Sequence, residues 1–255
     1  MNTTSLGDAQ GTGWRRHEEW LRLARLVPNT LTFGNLALGT AALGAALGGH
    51  PPLVALLFLL GALACDLLDG RAARAFRSAN AFGVELDSLA DVVSFGLAPA
   101  AVLWSWKLDQ AGALGLFGVA ALVLAAATRL ARFNVSALAG PKDAGPAARS
   151  VGLPVTVPAA MALGAATADL GVPPRGVAVA AIVLGALMVS RLGYRTFKRR
   201  SVVVILLPAA GAMGLGVLAL RELAQGIGLG LFALGATYSL SAPLGALLRK
   251  RSRAS

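Results

Sequence analysis

Four aspartates in this chain are spaced so that they could bind metal ions together. Asp66 and Asp69 are three residues apart, and Asp87 and Asp91 are four residues apart. On a helix, each of these spacings places both carboxylates on one face. All four lie beside nearly uninterrupted apolar sequence, where a charged side chain costs roughly 2.5–3.5 kcal/mol on insertion into a membrane. A cost of that size indicates that the cluster serves a function.

The residues near these aspartates suit phosphate chemistry. Carboxylates at two helix ends repel one another unless cations lie among them, and their oxygens are ligands of hard divalent ions. Two such ions can clamp a phosphate or a pyrophosphate. Gly70 and Ala73 leave room for a ligand near the backbone, and Arg74 can add a charge-assisted contact. The pattern predicts metal-assisted phosphoryl-group chemistry at a membrane surface, where a lipid could be one substrate.

Other interpretations of the acidic residues are open. The carboxylates could pair with Arg71, Arg74 and Arg77 in a solvated loop, but this would leave the helical spacing and the glycines unexplained. They could form the ion site of a cation transporter, a function that would favour acids distributed through several spans. A non-catalytic scaffold is the poorest of these options.

The composition indicates a helical membrane protein. Of the 255 residues, 56% are hydrophobic and 14% are charged, whereas soluble domains are about 25% charged. Apolar runs close to the length of a membrane span recur along the chain. The net charge of +11 is explained by basic cytoplasmic loops, so no nucleic acid partner is expected. The single cysteine, Cys65, excludes an internal disulfide and a cysteine metal cluster.

The hydropathy pattern predicts an all-α polytopic protein with about eight transmembrane helices. Residues 1–13 are expected to be a disordered tail, and residues 14–27 an amphipathic interfacial helix that Pro28 ends. A transmembrane domain then covers residues 28–247, and residues 248–255 form a basic cytoplasmic tail. The predicted spans are 30–49, 52–69, 83–105, 111–132, 153–170, 175–193, 201–220 and 226–247, with a short basic loop at 71–82.

The distribution of basic residues predicts the orientation of these spans. Eight spans place both termini on one side of the membrane. All of the 23 Lys and Arg residues except Lys107, Arg175 and Arg221 then fall on that side. By the positive-inside rule it is the cytoplasmic side. The acidic cluster is therefore expected at the cytoplasmic face of the membrane.

The acidic stretch resembles the signature of the CDP-alcohol phosphotransferases, membrane enzymes that move a substituted phosphate from a CDP-linked donor to an alcohol. All eight fixed positions match, in the pattern Asp66-x2-Asp69-Gly70-x2-Ala73-Arg74-x8-Gly83-x3-Asp87-x3-Asp91. The resemblance implies that Asp66 and Asp87 bridge two divalent cations, Mg²⁺ or Mn²⁺. Asp69 would complete one metal site and Asp91 the other. Asp91 would also be the catalytic general base that deprotonates the acceptor hydroxyl while CMP leaves.

The same resemblance implies a binding site for the CDP-lipid. It consists of residues in the signature and at the start of the first span, namely Asn29, Thr32, Gly70, Ala73, Arg74 and Asn80.

Three further stretches, at residues 28–39, at residues 85–100, and at residues 129–135 followed by 151–160, resemble the bacterial membrane-integrated phosphatidylserine synthases. In these enzymes CDP-diacylglycerol donates a phosphatidyl group to L-serine. The resemblance implies a homodimer in the cytoplasmic membrane of a bacterium. The carboxylate of serine needs a cationic partner, which Arg129 and Arg132, with Asn134 just beyond, could provide. These arginines could equally be ordinary positive-inside residues. A glycerol 3-phosphate or inositol phosphate acceptor would want similar arginines, so the expectation of serine depends on the resemblance.

Overall fold

The structure is a computed structural model, and it describes residues 5–76, 80–138, 149–195 and 221–252. Its elements are helices and two short strands. In chain order they are α1 (Ser5–Leu47), α2 (Pro52–Ala75), α3 (Ala81–Asp91), α4 (Ala98–Trp106), α5 (Ala113–Leu138), β1 (Arg149–Val151), α6 (Thr156–Thr167), α7 (Pro174–Val189), β2 (Gly193–Arg195) and α8 (Arg221–Ser252). A π-helical segment, Val92–Leu97, joins α3 to α4, and a 3-10 turn, Leu108–Ala111, precedes α5. The fold is mostly helical, as the sequence predicts.

Four helical stretches are long and apolar enough to cross a membrane among the described residues. They are Leu26–Leu47, Pro52–Ala75, Ala81–Trp106 and Ala113–Val135, and each agrees with one predicted span. Helices α6 and α7 are apolar but shorter. Large apolar side chains such as Phe117 and Leu124 are about two-thirds exposed, as expected for a surface that faces lipid rather than water. The predicted span 201–220 lies outside the described residues.

Small side chains form much of the core. Ala42, Ala55, Ala62 and Ala98 are buried in one cluster contributed by α1, α2, α4 and α6. Small residues allow helix backbones to approach closely, which is the usual basis of helix packing in membranes. The close packing brings the middle of α1 against the last turns of α2 and against α3.

Helix α1 is not interrupted at Pro28, where the sequence predicts a break. It begins at Ser5 and continues through Pro28 to Leu47, whereas Pro28 was expected to separate an interfacial helix from the first span. Proline removes only one backbone donor, and its fixed φ is compatible with a helix. Next to an apolar segment the helix is retained, because every other backbone group needs an internal hydrogen bond.

Two further features differ from the expected loops. Helix α2 extends to Ala75, so Arg71 and Arg74 lie on its last turns rather than in the predicted loop. The strands β1 and β2, which were not predicted, pair antiparallel with Ser150 opposite Tyr194. Strands of three residues are too short to show an alternating hydropathy pattern.

A polar clasp ties α4 to the connection between α6 and α7. The Trp106 indole N–H donates to Asp169 at 3.0 Å. Lys107 Nζ donates to the carbonyls of Leu170 at 2.7 Å and Val172 at 3.0 Å, and lies 4.5 Å from the centre of the Trp106 ring. This clasp is at the opposite end of the Ala81–Trp106 stretch from the aspartates.

Candidate active site

Three of the four predicted aspartates converge at the junction of α2 and α3. One carboxylate oxygen of each of Asp66, Asp69 and Asp87 lies within 4.8 Å of the others. Asp69 is buried, and the other two are half-buried. The helical spacing explains the pairing on α2, and the packing of α1 against both α2 and α3 brings Asp87 to the same point.

Asp91 lies one helical turn beyond Asp87, as the last residue of α3. It is outside the set of three, but it is close enough to Asp66, Asp87 and Asp69 for the charges to interact. The side-chain N–H of Asn35 on α1 donates to Asp91 Oδ1 at 3.2 Å. The π-helical segment begins at the next residue.

The three converging carboxylates fit a divalent cation. Two oxygens bound to one ion lie at most about 4–5 Å apart, twice the usual metal–oxygen distance, and the oxygens of this set meet that limit. Carboxylates are the preferred ligands of Mg²⁺ and similar hard ions. Asp69 is also oriented from outside the set, because the Thr32 hydroxyl donates to its Oδ2 at 2.8 Å. Such contacts behind a ligand are typical of metal sites.

Two residues predicted to contact the CDP-lipid meet at the start of α3. Asn80 caps this helix, and its side-chain oxygen accepts from the Gly83 N–H at 2.8 Å. A Cβ at Gly83 would lie 3.3 Å from Asn29 Oδ1 and 3.6 Å from Asn80 Oδ1. A glycine at this position therefore allows both asparagines to approach the backbone closely. Thr32 on α1 is also predicted to contact the CDP-lipid. It is buried, and its hydroxyl contacts Asp69.

The remaining predicted lipid contacts lie on the last turns of α2. Gly70 and Ala73 are half-buried, and Arg74 is exposed. The last turns of the helix therefore present these small residues and the guanidinium of Arg74 close in sequence to the carboxylates of Asp66 and Asp69.

The residues predicted for the acceptor occupy the end of α5. Arg129 is half-buried and close enough to Asp91 and Arg132 for electrostatic interaction. Asn134 is buried, and its side-chain N–H donates to Ser88 Oγ at 2.9 Å. A longer contact of 3.5 Å joins it to Glu85. The structure thus brings Arg129 to the surroundings of Asp91, while Asn134 is bonded to α3.

Two residues near the site were not predicted from the sequence. Asn35 follows Thr32 by three residues, and the structure buries it. Its sequence signal was a polar amide within an apolar span. Tyr238 on α8 is close enough to Arg129 for electrostatic interaction, and no local pattern could have indicated this contact between distant segments.

The ring of Tyr238 is held by Tyr194 on β2, with ring centres 5.5 Å apart. The Tyr194 hydroxyl donates to the Ser239 carbonyl at 3.1 Å. Burial, and secondarily Tyr238, raises the pKa of Tyr194, so this hydroxyl remains a donor. The strand pair therefore fixes one turn of α8 beside the end of α5.

Comparison with known sequences identifies the family. The CDP-alcohol phosphatidyltransferase family matches residues 25–189. The chain belongs to this family. The match runs from α1 to the end of α7, so it includes every predicted site residue, whereas Tyr238 lies outside it.

Several relatives of this CDP-alcohol phosphatidyltransferase carry the name CDP-diacylglycerol--serine O-phosphatidyltransferase. The Helicobacter pylori protein is 31% identical over 180 residues, which cover 68% of this chain and 73% of the relative. The Saccharomyces cerevisiae protein is 41% identical over 111 residues, or 43% of this chain and 40% of the relative. The Bacillus subtilis protein is 33% identical over 109 residues, or 43% of this chain and 61% of the relative. The resemblance expected from the acidic stretch is confirmed.

Proposed function

We propose that this CDP-alcohol phosphatidyltransferase transfers the phosphatidyl group of CDP-diacylglycerol to L-serine and releases CMP. The observation that carries the reaction class is the convergence of Asp66, Asp69 and Asp87 beside Asp91. The names of the relatives in bacteria and yeast support serine as the acceptor.

In the proposed reaction Asp91 is the general base. It accepts the proton of the serine hydroxyl, whose oxygen attacks the phosphorus that carries the diacylglycerol in line with the bond to CMP. The new oxygen–phosphorus bond forms as the bond to CMP breaks, and CMP leaves with the electron pair. A general base contributes about 10²–10⁴-fold to the rate of such a step.

The four aspartates would hold two divalent cations, Mg²⁺ or Mn²⁺. Asp66 and Asp87 are assigned to both ions, Asp69 to one and Asp91 to the other. When bound, such ions neutralise the carboxylates and the diphosphate and make the phosphorus more electrophilic. The four aspartates offer only oxygen ligands, which suit hard divalent ions. Removing these ions with a chelator is expected to stop CMP release.

The substrates are assigned to two sides of the aspartates. The CDP portion of the donor is assigned to the end of α2 and the start of α3, through Asn29, Thr32, Gly70, Ala73, Arg74 and Asn80. The carboxylate of serine is assigned to the end of α5, through Arg129, Arg132 and Asn134. The proximity of Arg129 to Asp91 supports this arrangement, because the carboxylate and the hydroxyl of serine are only a few bonds apart.

The proposed setting is the cytoplasmic membrane of a bacterium. In it the chain crosses the bilayer about eight times as a homodimer, with the active site and both termini on the cytoplasmic side. Residues 14–27 lie in the interface, residues 28–247 form the transmembrane domain, and residues 1–13 and 248–255 are tails. The bias of Lys and Arg toward one side supports this orientation.

The test is an acceptor comparison with purified protein in detergent micelles. CDP-diacylglycerol and Mg²⁺ or Mn²⁺ are supplied with L-serine, glycerol 3-phosphate or an inositol phosphate, and both CMP and the lipid product are measured. We expect CMP release and phosphatidylserine formation with serine. CMP release with glycerol 3-phosphate but not with serine would contradict the proposed acceptor. Metal uptake into liposomes without any CMP release would favour a cation transporter instead.

A further inference from the structure

A fully buried amide on α1 touches the proposed general base. Asn35 has no exposed surface and lies within the span Leu26–Leu47. Its side-chain N–H donates to Asp91 Oδ1 at 3.2 Å. Its own Oδ1 is buried and accepts no hydrogen bond among the described residues.

Stability does not explain why this position is an asparagine. A buried acceptor without a hydrogen bond is unfavourable, and replacing it with an apolar group of similar shape is often neutral or stabilising. The only side-chain hydrogen bond that the structure gives the Asn35 amide, within the described residues, is to Asp91. The chemistry of that bond also fixes the orientation of the amide, because the opposite orientation would place two oxygens against each other.

The backbone that carries this amide is itself fixed. Ser94, in the π-helical segment, is fully buried and donates its hydroxyl to the Asn35 carbonyl at 3.1 Å. One turn further along α1, a Cβ at Gly39 would lie 2.9 Å from Ser94 Cα. The absence of a side chain at Gly39 lets α1 and the π-helical segment touch. Asn35 therefore donates to Asp91 from a helix that packs closely against the segment that follows Asp91.

We propose that Asn35 is a positioning residue that holds Asp91 in the orientation needed to take the acceptor proton. The N–H of Asn35 donates to Oδ1, and we assign Oδ2 to the acceptor proton, while the second lone pair of Oδ1 is left for the metal ion that Asp91 would hold. The inference rests on the proposed function, in which Asp91 is the general base. Asn35 itself contacts neither substrate in this scheme and acts through Asp91.

The test compares Asn35→Leu with the wild type in the full-length purified protein. Leucine matches the branching of asparagine but cannot donate. We expect kcat for CMP release with serine to fall about 100-fold, the loss typical of a misplaced reacting group. The KM for CDP-diacylglycerol should remain within about twofold, because the donor site is unchanged, and the Tm should stay equal or rise. Thr40→Val is the matched control, because Thr40 is exposed on the same helix and, among the described residues, its hydroxyl donates to the Leu36 carbonyl of its own helix.

Each result supports or contradicts the proposal. Asn35→Leu with turnover within about threefold of wild type would contradict it, and so would a parallel fall of Tm and kcat. If leucine prevents folding, Asn35→Ala replaces it; because the cavity left by alanine lowers the Tm by itself, the comparison then rests on kcat against the KM for CDP-diacylglycerol, measured below the Tm of the variant. A wild-type protein that releases no CMP with any acceptor would instead contradict the proposed function. If the wild type acts on an acceptor other than serine, the same comparison is made with that acceptor.

Discussion

A single substitution can test the role of Asp91 as general base separately from binding of the CDP-lipid. Asparagine keeps the size of the side chain but cannot take a proton at neutral pH. We expect Asp91→Asn to lower the rate of CMP release by about 10²–10⁴-fold, the contribution of a general base, while CDP-diacylglycerol still binds. Single-turnover CMP release and equilibrium binding of the CDP-lipid measure the two quantities. Near-normal turnover of purified Asp91→Asn would show that the base is misassigned.

Thr32 has two competing roles, which kinetics can distinguish. The resemblance assigns it to the CDP-lipid, whereas the structure shows its hydroxyl 2.8 Å from Asp69 Oδ2. We expect Thr32→Val to weaken the apparent affinity for Mn²⁺ by about 10–100-fold, as loss of a contact behind a metal ligand does. Activity should recover at saturating Mn²⁺. Titrations of Mn²⁺ and of CDP-diacylglycerol against CMP release provide the measurement.

The control for Thr32→Val is Thr30→Val. Thr30 is exposed on the same helix, and within the part of the chain that the structure describes its hydroxyl donates to the Leu26 carbonyl at 2.9 Å. An increase in the KM for CDP-diacylglycerol with an unchanged Mn²⁺ dependence would assign Thr32 to the nucleotide rather than to the metal site.

At the scale of single residues, the sequence predicts contacts within one helix better than contacts between helices. The convergence of Asp66 and Asp69 follows from their spacing, because residues three apart share a helix face. Asn35 and Asp91 are 56 residues apart in the chain, and only the packing of α1 on α3 joins them. Tyr238 and Arg129 are likewise distant in the chain. Only the folded structure, in which β1 and β2 pair, shows that the two side chains are close.

At the scale of elements, the contact between α1 and the π-helical segment depends on Gly39. A Cβ at this position would lie 2.9 Å from both Cα and Cβ of Ser94, so the two segments would have to separate. Added volume of this kind in a packed core costs about 1–3 kcal/mol. We expect Gly39→Ala to lower the Tm and also the turnover, because Asn35 moves with α1. Thermal unfolding in detergent and CMP release are measured together.

Gly44→Ala is the matched substitution on the same helix. A Cβ there would meet no atom within 4 Å among the described residues, and alanine favours a helix over glycine by about 1 kcal/mol. The Tm should therefore be unchanged or slightly higher. Equal losses of Tm in the two variants would mean that the contact with Ser94 is not the cause.

Helix cores could be predicted from the sequence, but helix ends could not. The four stretches that can cross a membrane agree with predicted spans, because about 20 apolar residues are a sufficient signal. The end of α2 was expected near Asp69, yet the helix continues to Ala75. Charged residues such as Arg71 and Arg74 end an apolar run without ending a helix, since arginine is a good helix former.

At the scale of the whole molecule, the direction in which α2 runs decides on which side of the membrane the candidate active site is expected. Helix α2 starts at Pro52, beside His50, and carries Asp66 and Asp69 near its other end. Its 24 residues correspond to about 36 Å at 1.5 Å per residue, which exceeds the hydrocarbon thickness of about 30 Å. Asp69 lies about 26 Å from Pro52 along the helix axis, so in the proposed arrangement His50 and the aspartates lie toward opposite faces of the membrane.

Cysteine labelling in intact bacterial cells can test this orientation. In a Cys65→Ser background, His50→Cys and Asp109→Cys should react with a membrane-impermeant maleimide added outside the cells, because both positions are exposed and lie away from the basic loops. Arg191→Cys, also exposed, should react only after permeabilisation, since residues 191–200 belong to the basic side. The reverse pattern would place the aspartates on the outer face, where a cytoplasmic CDP-lipid and serine could not reach them.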